Sequence, residues 1–387
     1  TNYLDFTNAK DLLHIRYEVF YEGVLADWGI IENIDLLPHE SREITLPTIL
    51  DGNGNCSVLL TYIQNKDLPP TSVGHILGFD QLFLANTPVL PEVNPVEQED
   101  EQGLPITLEE SNRLLILTGK HFRYTFDKAK GLFQSINYKN KEYLPTPMEY
   151  NIWRAPIDND REIRKEWERA GYNRAQSRVY DTAVESLKDG ITINCHLSLT
   201  PIYLEKILDI KATFTILSNG NISATLSCQK NMEMPFLPRF GILLTLPKQM
   251  EQTEYFGYGP YESYEDKHQA SYLGLFQTTA KKNHEDYIKP QENGSHFGCH
   301  FVKIMDDCKR GICITSNRPF SFHISPYTQE ELTTKRHNFE LVESDTTQLA
   351  IDYRQSGVGS NSCGPRLNEA YQFNEKNFTF QFDLAFM

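Results

Sequence analysis

Eight acidic side chains stand in polar, turn-like clusters: Asp158 and Asp160 in "NIWRAPIDND" (151–160), Glu262, Glu265 and Asp266 in "GYGPYESYEDKH", Glu292 in "KPQENGSH", and Glu369 and Glu375 in two Asn-Glu pairs. Two carboxylates held about 5 Å apart on strand ends would suit retaining cleavage of a glycosidic bond, and a wider pair inverting cleavage. Sequence spacing fixes neither distance, and acids beside Asn and Gly are what turns use, so each reads first as a turn or cap residue. The stretch "SGVGSNSCGPRL" (356–367) packs Gly, Ser and Asn around Cys363. A nucleophilic thiol needs a base, and the stretch supplies no histidine. It reads better as a loop lining a pocket, with Asn361, Ser362, Cys363 and Arg366 as the wall.

Other chemistries find little. There is no Gly-x-Ser-x-Gly elbow, phosphate loop or HExxH helix, and the 11 histidines are scattered. The seven cysteines are odd in number and lack C-x-x-C spacing. Cys308 and Cys313 in "CKRGIC" have no further soft ligand nearby, so no metal site is expected and the thiols read as free and mostly buried.

The elements that must position these residues are mainly strands. In "ITINCHLSLT", Ile191, Ile193, Cys195, Leu197 and Leu199 alternate with polar residues, and Leu208, Ile210, Ala212, Phe214 and Ile216 repeat the pattern. Asn219-Gly220 then separates that run from Ile222, Ala224, Leu226 and Cys228, the signal of a hairpin. "FRYTFDKAKGLFQSINY" (122–138) predicts another. Only two short helices are expected. One uses Ile163, Trp167 and Ala170, with Asp160 as N-cap and Gly171 as stop; the other starts at Thr328, with Glu331 three residues on.

A chain of 387 residues suggests two or three domains. With 52 acidic against 37 basic residues the net charge is -15, which repels phosphate backbones and anionic lipid heads, so neither nucleic acid nor membrane is expected as a partner. No apolar run approaches the roughly 18 residues of a spanning helix. The opening "TNYLDFTNAK" shows no initiator Met and no signal peptide, and reads as a cut from a longer chain. Cytoplasm is favoured over periplasm as the compartment, without excluding the latter. "LHIRYEVFYEG", "REITLPTIL" and "CSVLLTYIQ" predict the strands of an immunoglobulin-like sandwich over 1–86. "NTPVLPEVNPVEQEDEQGLP" has a linker's composition, placing a linker at 87–111 and a large antiparallel β-sandwich at 112–387. The fold class expected is all-β.

Five ordered stretches, "NIWRAPIDND", "WERAGY", "EYFGYGPYESYEDKHQASYLGLF", "YIKPQENGSH" and "GVGSNSCGP", together resemble the C-terminal region of the large bacterial β-galactosidases of glycoside hydrolase family 2. The N-terminal 45 or so residues resemble the immunoglobulin-like domain preceding it in that family, so the likeness spans nearly the whole chain. It implies a galactose-mutarotase-like supersandwich and a noncatalytic role. In the family both catalytic glutamates and the magnesium ligands lie on a (β/α)8 barrel, to which nothing here corresponds. No catalytic residue, metal or cofactor is therefore expected in this chain. Its expected partners are that barrel and, through a shared pocket, the galactoside, with homo-oligomerisation left open. The resemblance also implies that Cys363 sits where a tryptophan offers its ring to the sugar, and that Gly241 hinges a mobile loop containing Thr245, Leu246, Pro247, Lys248 and Gln249. Within "NIWRAPIDND", Trp153 and Pro156 read as packing, Asp158, Asn159 and Asp160 as turn and cap, and Arg154 as a charge-assisted contact across an interface, with a pocket role for Arg154 or Asp158 as the alternative. A stand-alone carbohydrate-binding or interaction module is the alternative, recognised by galactose binding through the 357–366 loop without any partner.

Overall fold

A computed structural model describes residues 1–21, 23–48, 56–84 and 105–387. The chain is all-β in architecture and divides into two compact units, Thr1–Val93 and Asn94–Met387. Most of the expected linker, 87–104, lies outside the described residues.

In the first unit, strands Val24–Ile31, Leu13–Tyr21, Cys56–Gln64 and Ile76–Phe83 form one antiparallel sheet in that order. Tyr17, Val19, Cys56 and Val58 make its principal buried cluster. The strand expected from "REITLPTIL" is not formed over 42–48, where the backbone pairs with no other strand. Its remaining two residues lie outside the described set.

The second unit is a sandwich of a five-stranded and a twelve-stranded antiparallel sheet. Alternation explains the packing: Ile191, Ile193, Cys195, Leu197 and Leu199 are all buried on one side of Gly190–Thr200, and Phe214 projects likewise from Leu208–Leu217. Phe214 meets Phe126 and Phe133 of the smaller sheet at 5.6 Å, both near edge-on, while Tyr124 Oη donates to the Gly220 carbonyl at 2.6 Å. The smaller sheet begins with Thr107–Glu110, paired to Leu114–Thr118. Those four residues were expected in the linker. Leu108 packs against the core, an apolar anchor that the acidic neighbourhood disguises.

Much of the expected mobile loop is strand. Gly241, Thr245, Leu246 and Pro247 belong to strand Arg239–Pro247, paired along its length with Thr346–Gln355, and Lys248 and Gln249 form the turn that follows. Ile242, Leu244 and Leu246 are fully buried, which fixes the strand in the core. Gly241 serves close packing: a side chain there would overlap the Ile351 carbonyl oxygen, at a point where the pairing register shifts.

Candidate functional site

The 356–366 loop is held from beneath by the "NIWRAPIDND" segment. Helix Ile163–Ala170 buries Trp167 and Ala170 and ends at Gly171, whose φ of 78° is left-handed. Trp167 meets Trp153 edge-on at 6.4 Å and lies under the Arg154 guanidinium at 5.6 Å. This packing sets Arg154, 1% exposed, beneath the loop. Its Nε and Nη2 donate to the two Asp160 carboxylate oxygens at 3.0 and 2.7 Å. Nη1 and Nη2 also donate to the carbonyls of Ser356 and Gly357 at 2.7 and 3.0 Å. Bidentate pairing leaves a planar guanidinium with donors to spare, which is why arginine fits this position.

Two expectations are corrected here. Arg154 does not reach across an interface; every partner lies within its own unit, because burial leaves it only Asp160 and the loop carbonyls. Asp160 does not cap the helix. It accepts from Arg154 and the Ile157 amide, and position Glu162 precedes the helix without a side-chain cap.

Asn159 and Asp266 complete the support. Asn159 Nδ2 donates to the Gly359 carbonyl at 2.7 Å and its Oδ1 accepts from the Ser362 amide at 3.1 Å. Asp266 accepts from the Val358 and Gly359 amides at 2.9 and 2.8 Å. A Cβ on Gly357 would come within 2.6 Å of that carboxylate, so glycine is needed for the approach. Asp158 points outward, paired with Lys289 at 2.8 Å.

A cleft of about 400 Å³ opens between this loop and the helix, lined among others by Glu162, Glu166, Phe236, Asn361, Arg366 and Gln372. Asn361 and Arg366 therefore face it, whereas Ser362 and Cys363 are not among its lining residues. The Cys363 thiol is exposed on the loop, in a turn where the Cys363 and Gly364 amides both donate to the Ser360 carbonyl. Glu162, Glu166, Phe236 and Gln372 were not singled out in the sequence; the amphipathic period of the helix, continued to its polar face, was the available signal for Glu166.

A second charged group lies deeper. Arg239, fully buried, donates to Asp352 at 3.0 and 2.5 Å and to Glu292 Oε1 at 2.6 Å. Burial disfavours the Glu292 charge, but Arg239, His323 and Arg154 outweigh it and hold its pKa low. His323 Nδ1 lies 3.6 Å from Glu292, and burial pushes its pKa down to about 4. The other acids are engaged as well. Glu262 binds Lys267, the Tyr287 hydroxyl and the Gly294 amide, Glu265 grips Arg354 with both oxygens, and Glu375 binds Arg354 and Tyr353. Glu369 lines the cleft in a short 3-10 turn. Among the described residues no three His, Cys, Asp or Glu side chains group to hold a metal ion, so they do not fit the magnesium that the resemblance places on a barrel. The arrangement can shape and stiffen a polar concavity; its buried acids are committed to arginines.

A family model described as the beta galactosidase small chain matches residues 118–384. A beta-galactosidase of Actinobacillus pleuropneumoniae is 41% identical over 389 residues, an alignment taking in 100% of this chain and 37% of that protein. One from Staphylococcus xylosus is 35% identical over 387 residues, covering 100% and 38% respectively. The chain thus spans little more than a third of the length of these relatives. Among solved structures, a galactose 1-epimerase from Lactobacillus acidophilus aligns with 73% of this chain and 99% of its own at 8% identity and a TM-score of 0.42.

Proposed function

The chain belongs to the beta-galactosidase small-chain family, and from that premise we propose that it is the noncatalytic C-terminal part of a glycoside hydrolase family 2 β-galactosidase. In this reading it lines and closes the cleft of a retaining active site whose two acids stand on a (β/α)8 barrel in the rest of the polypeptide. The carrying observation is the coverage: relatives match this chain from end to end, yet it accounts for 37–38% of them.

The site's construction supports the reading. The 356–362 backbone is fixed by Arg154, itself held by Asp160, and by Asn159 and Asp266, which suits a wall presented to a substrate held elsewhere. Retaining hydrolysis needs a carboxylate free to attack an acetal carbon and a second to pass a proton. Asp160, Glu292 and Asp352 are buried against guanidinium groups and are not free in that sense. What these residues contribute is position: a rigid loop edge that orients the sugar and excludes water as the cleft closes. The natural substrate class in this reading is a terminal β-D-galactoside such as lactose. Beside the Lys289–Asp158 pair, Ile288 and Phe339 stand 77% and 82% exposed, with the Asn338 amide bonded to the Ile288 carbonyl. Apolar surface of this kind is what a neighbouring body would cover.

The test is a chimera in which this chain replaces the matching region of the Actinobacillus relative. The chimera is expected to hydrolyse nitrophenyl β-galactoside while the isolated 387-residue chain, freed of contaminating enzyme, does not. Turnover by the isolated chain overturns the reading, as does a folded but inactive chimera.

A further inference from the structure

A second, smaller concavity in the same unit carries an unanswered hydrogen-bonding group. This cleft, of about 230 Å³, is lined by Ser263, Phe297, Arg318, Phe320, Tyr353 and Gln355 among others. Gln355 is 6% exposed. Its Nε2 donates to Asp352 Oδ2 at 3.1 Å and to Ser295 Oγ at 2.9 Å. Asp352 is already the bidentate partner of Arg239, and a carboxylate so engaged can only accept, so the amide cannot be turned around. Gln355 Oε1 is consequently left buried with no partner. Such orphans call for an explanation, because a buried acceptor that lost its water is destabilising until a donor reaches it.

The rim supplies the complementary group. The Arg318 guanidinium lies over the Tyr353 ring at 4.3 Å and donates through Nη1 to the Tyr353 hydroxyl at 2.7 Å. It forms no ion pair with a described carboxylate, in contrast to Arg354 beside it, which is held by both Glu265 and Glu375. The lining of this cleft thus includes a glutamine whose sealed acceptor oxygen has no partner, a donor-only cation, and aromatic side chains. A hydroxyl both donates and accepts, so a polyol satisfies both ends with one kind of group. The volume falls below the roughly 300–1,000 Å³ of pockets for larger ligands, which favours a single ring. The net charge of -15 weighs against an anion.

We propose that this cleft is a binding site for one neutral hexose, with a sugar hydroxyl donating to Gln355 Oε1 and another accepting from Arg318. The site is separate from the cleft under the 356–366 loop and does not depend on the β-galactosidase reading.

The experiment titrates the 387-residue chain with D-galactose, D-glucose and D-galacturonate, following saturation-transfer NMR and calorimetry. A neutral hexose is expected to bind in the millimolar range. Arg318→Ala, an exposed change checked by its unaltered melting curve, weakens that binding about tenfold, as loss of a charge-assisted hydrogen bond would. Asn361→Ala and Arg366→Ala, in the other cleft, leave it unchanged. Absence of hexose binding, insensitivity to Arg318→Ala, loss through Asn361→Ala or Arg366→Ala instead, or tighter binding of galacturonate would each overturn the proposal.

Discussion

The two ends of the large sandwich are held by opposite means. Where Gly190–Thr200, Leu208–Leu217 and Ile222–Lys230 meet the five-stranded sheet, the interior is apolar, with Phe126, Phe133 and Phe214 packed ring to ring. Where Arg239–Pro247 and Thr346–Gln355 approach the 356–366 loop, the interior holds Arg154, Arg239, Asp160, Asp352 and Glu292, all less than 5% exposed. The first arrangement stabilises by removing apolar area from water and tolerates changes of shape at moderate cost. The second is weak evidence of stability, since desolvating ions offsets most of their attraction, but it fixes geometry: a guanidinium has few ways to satisfy five donors. The ion-rich end is also where the candidate sites lie, and this teaches that the molecule spends stability on position beside the clefts proposed to hold a ligand.

Breaking the ion-rich end should have the largest effect. Arg239→Met strands Asp352 and Glu292 in the interior, and a loss of about 5 kcal/mol in denaturant unfolding is expected, enough to unfold a marginal domain. Replacing Arg239, Asp352 and Glu292 together by apolar residues of similar size should restore much of it. If the triple variant is no more stable than Arg239→Met, the contrast between the two ends fails. Phe214→Ala at the apolar end should lower stability by about 3–4 kcal/mol through the cavity it leaves, without altering the hydrogen-exchange protection of the Val358 and Gly359 amides.

The smallest expected effect is that of pH. Burial holds His323 neutral down to about 4 in the folded chain, whereas an unfolded histidine takes its proton near 6.5. Between those values the unfolded state binds more protons, so this contribution is complete above pH 6.5 and is lost as pH falls toward 4. Thermal midpoints at pH 7 and pH 5 should therefore converge in His323→Gln relative to the unaltered chain. An identical acid slope in both would remove His323 from the account.

The same contrast explains what was legible in the sequence. Alternation located the apolar end, including the turn at Asn219-Gly220, because burial on a pleated sheet writes itself at period two. The helix with Trp167 and the Thr328 cap, whose hydroxyl accepts from the Glu331 amide, were legible because their signals are local. The ion-rich end was not. Arg154 joins Asp160 six residues away but also Ser356 and Gly357 across some 200 residues, and Arg239 finds Asp352 113 residues on. A charged residue within an apolar strand, as Asp352 is in "LAIDYRQ", announces a buried partner without naming it. The loop expected at 245–249 gave way to strand over 245–247 for a related reason. It came from resemblance, while the apolar run "FGILLTL" states the strand that the structure contains. Asn361 and Arg366 line the cleft and Ser362 and Cys363 do not, a distinction between neighbours in one loop that is invisible in composition.

The central claim is that this chain frames a sugar cleft while supplying neither acid that breaks the bond. The most direct test treats the active chimera with a 2-deoxy-2-fluoro-β-galactosyl fluoride, which halts retaining enzymes at the covalent glycosyl stage, and maps the label by peptide mass spectrometry. The account predicts label on a carboxylate outside these 387 residues and none within them. A fluorogalactosyl group on any Asp or Glu of this chain would contradict it.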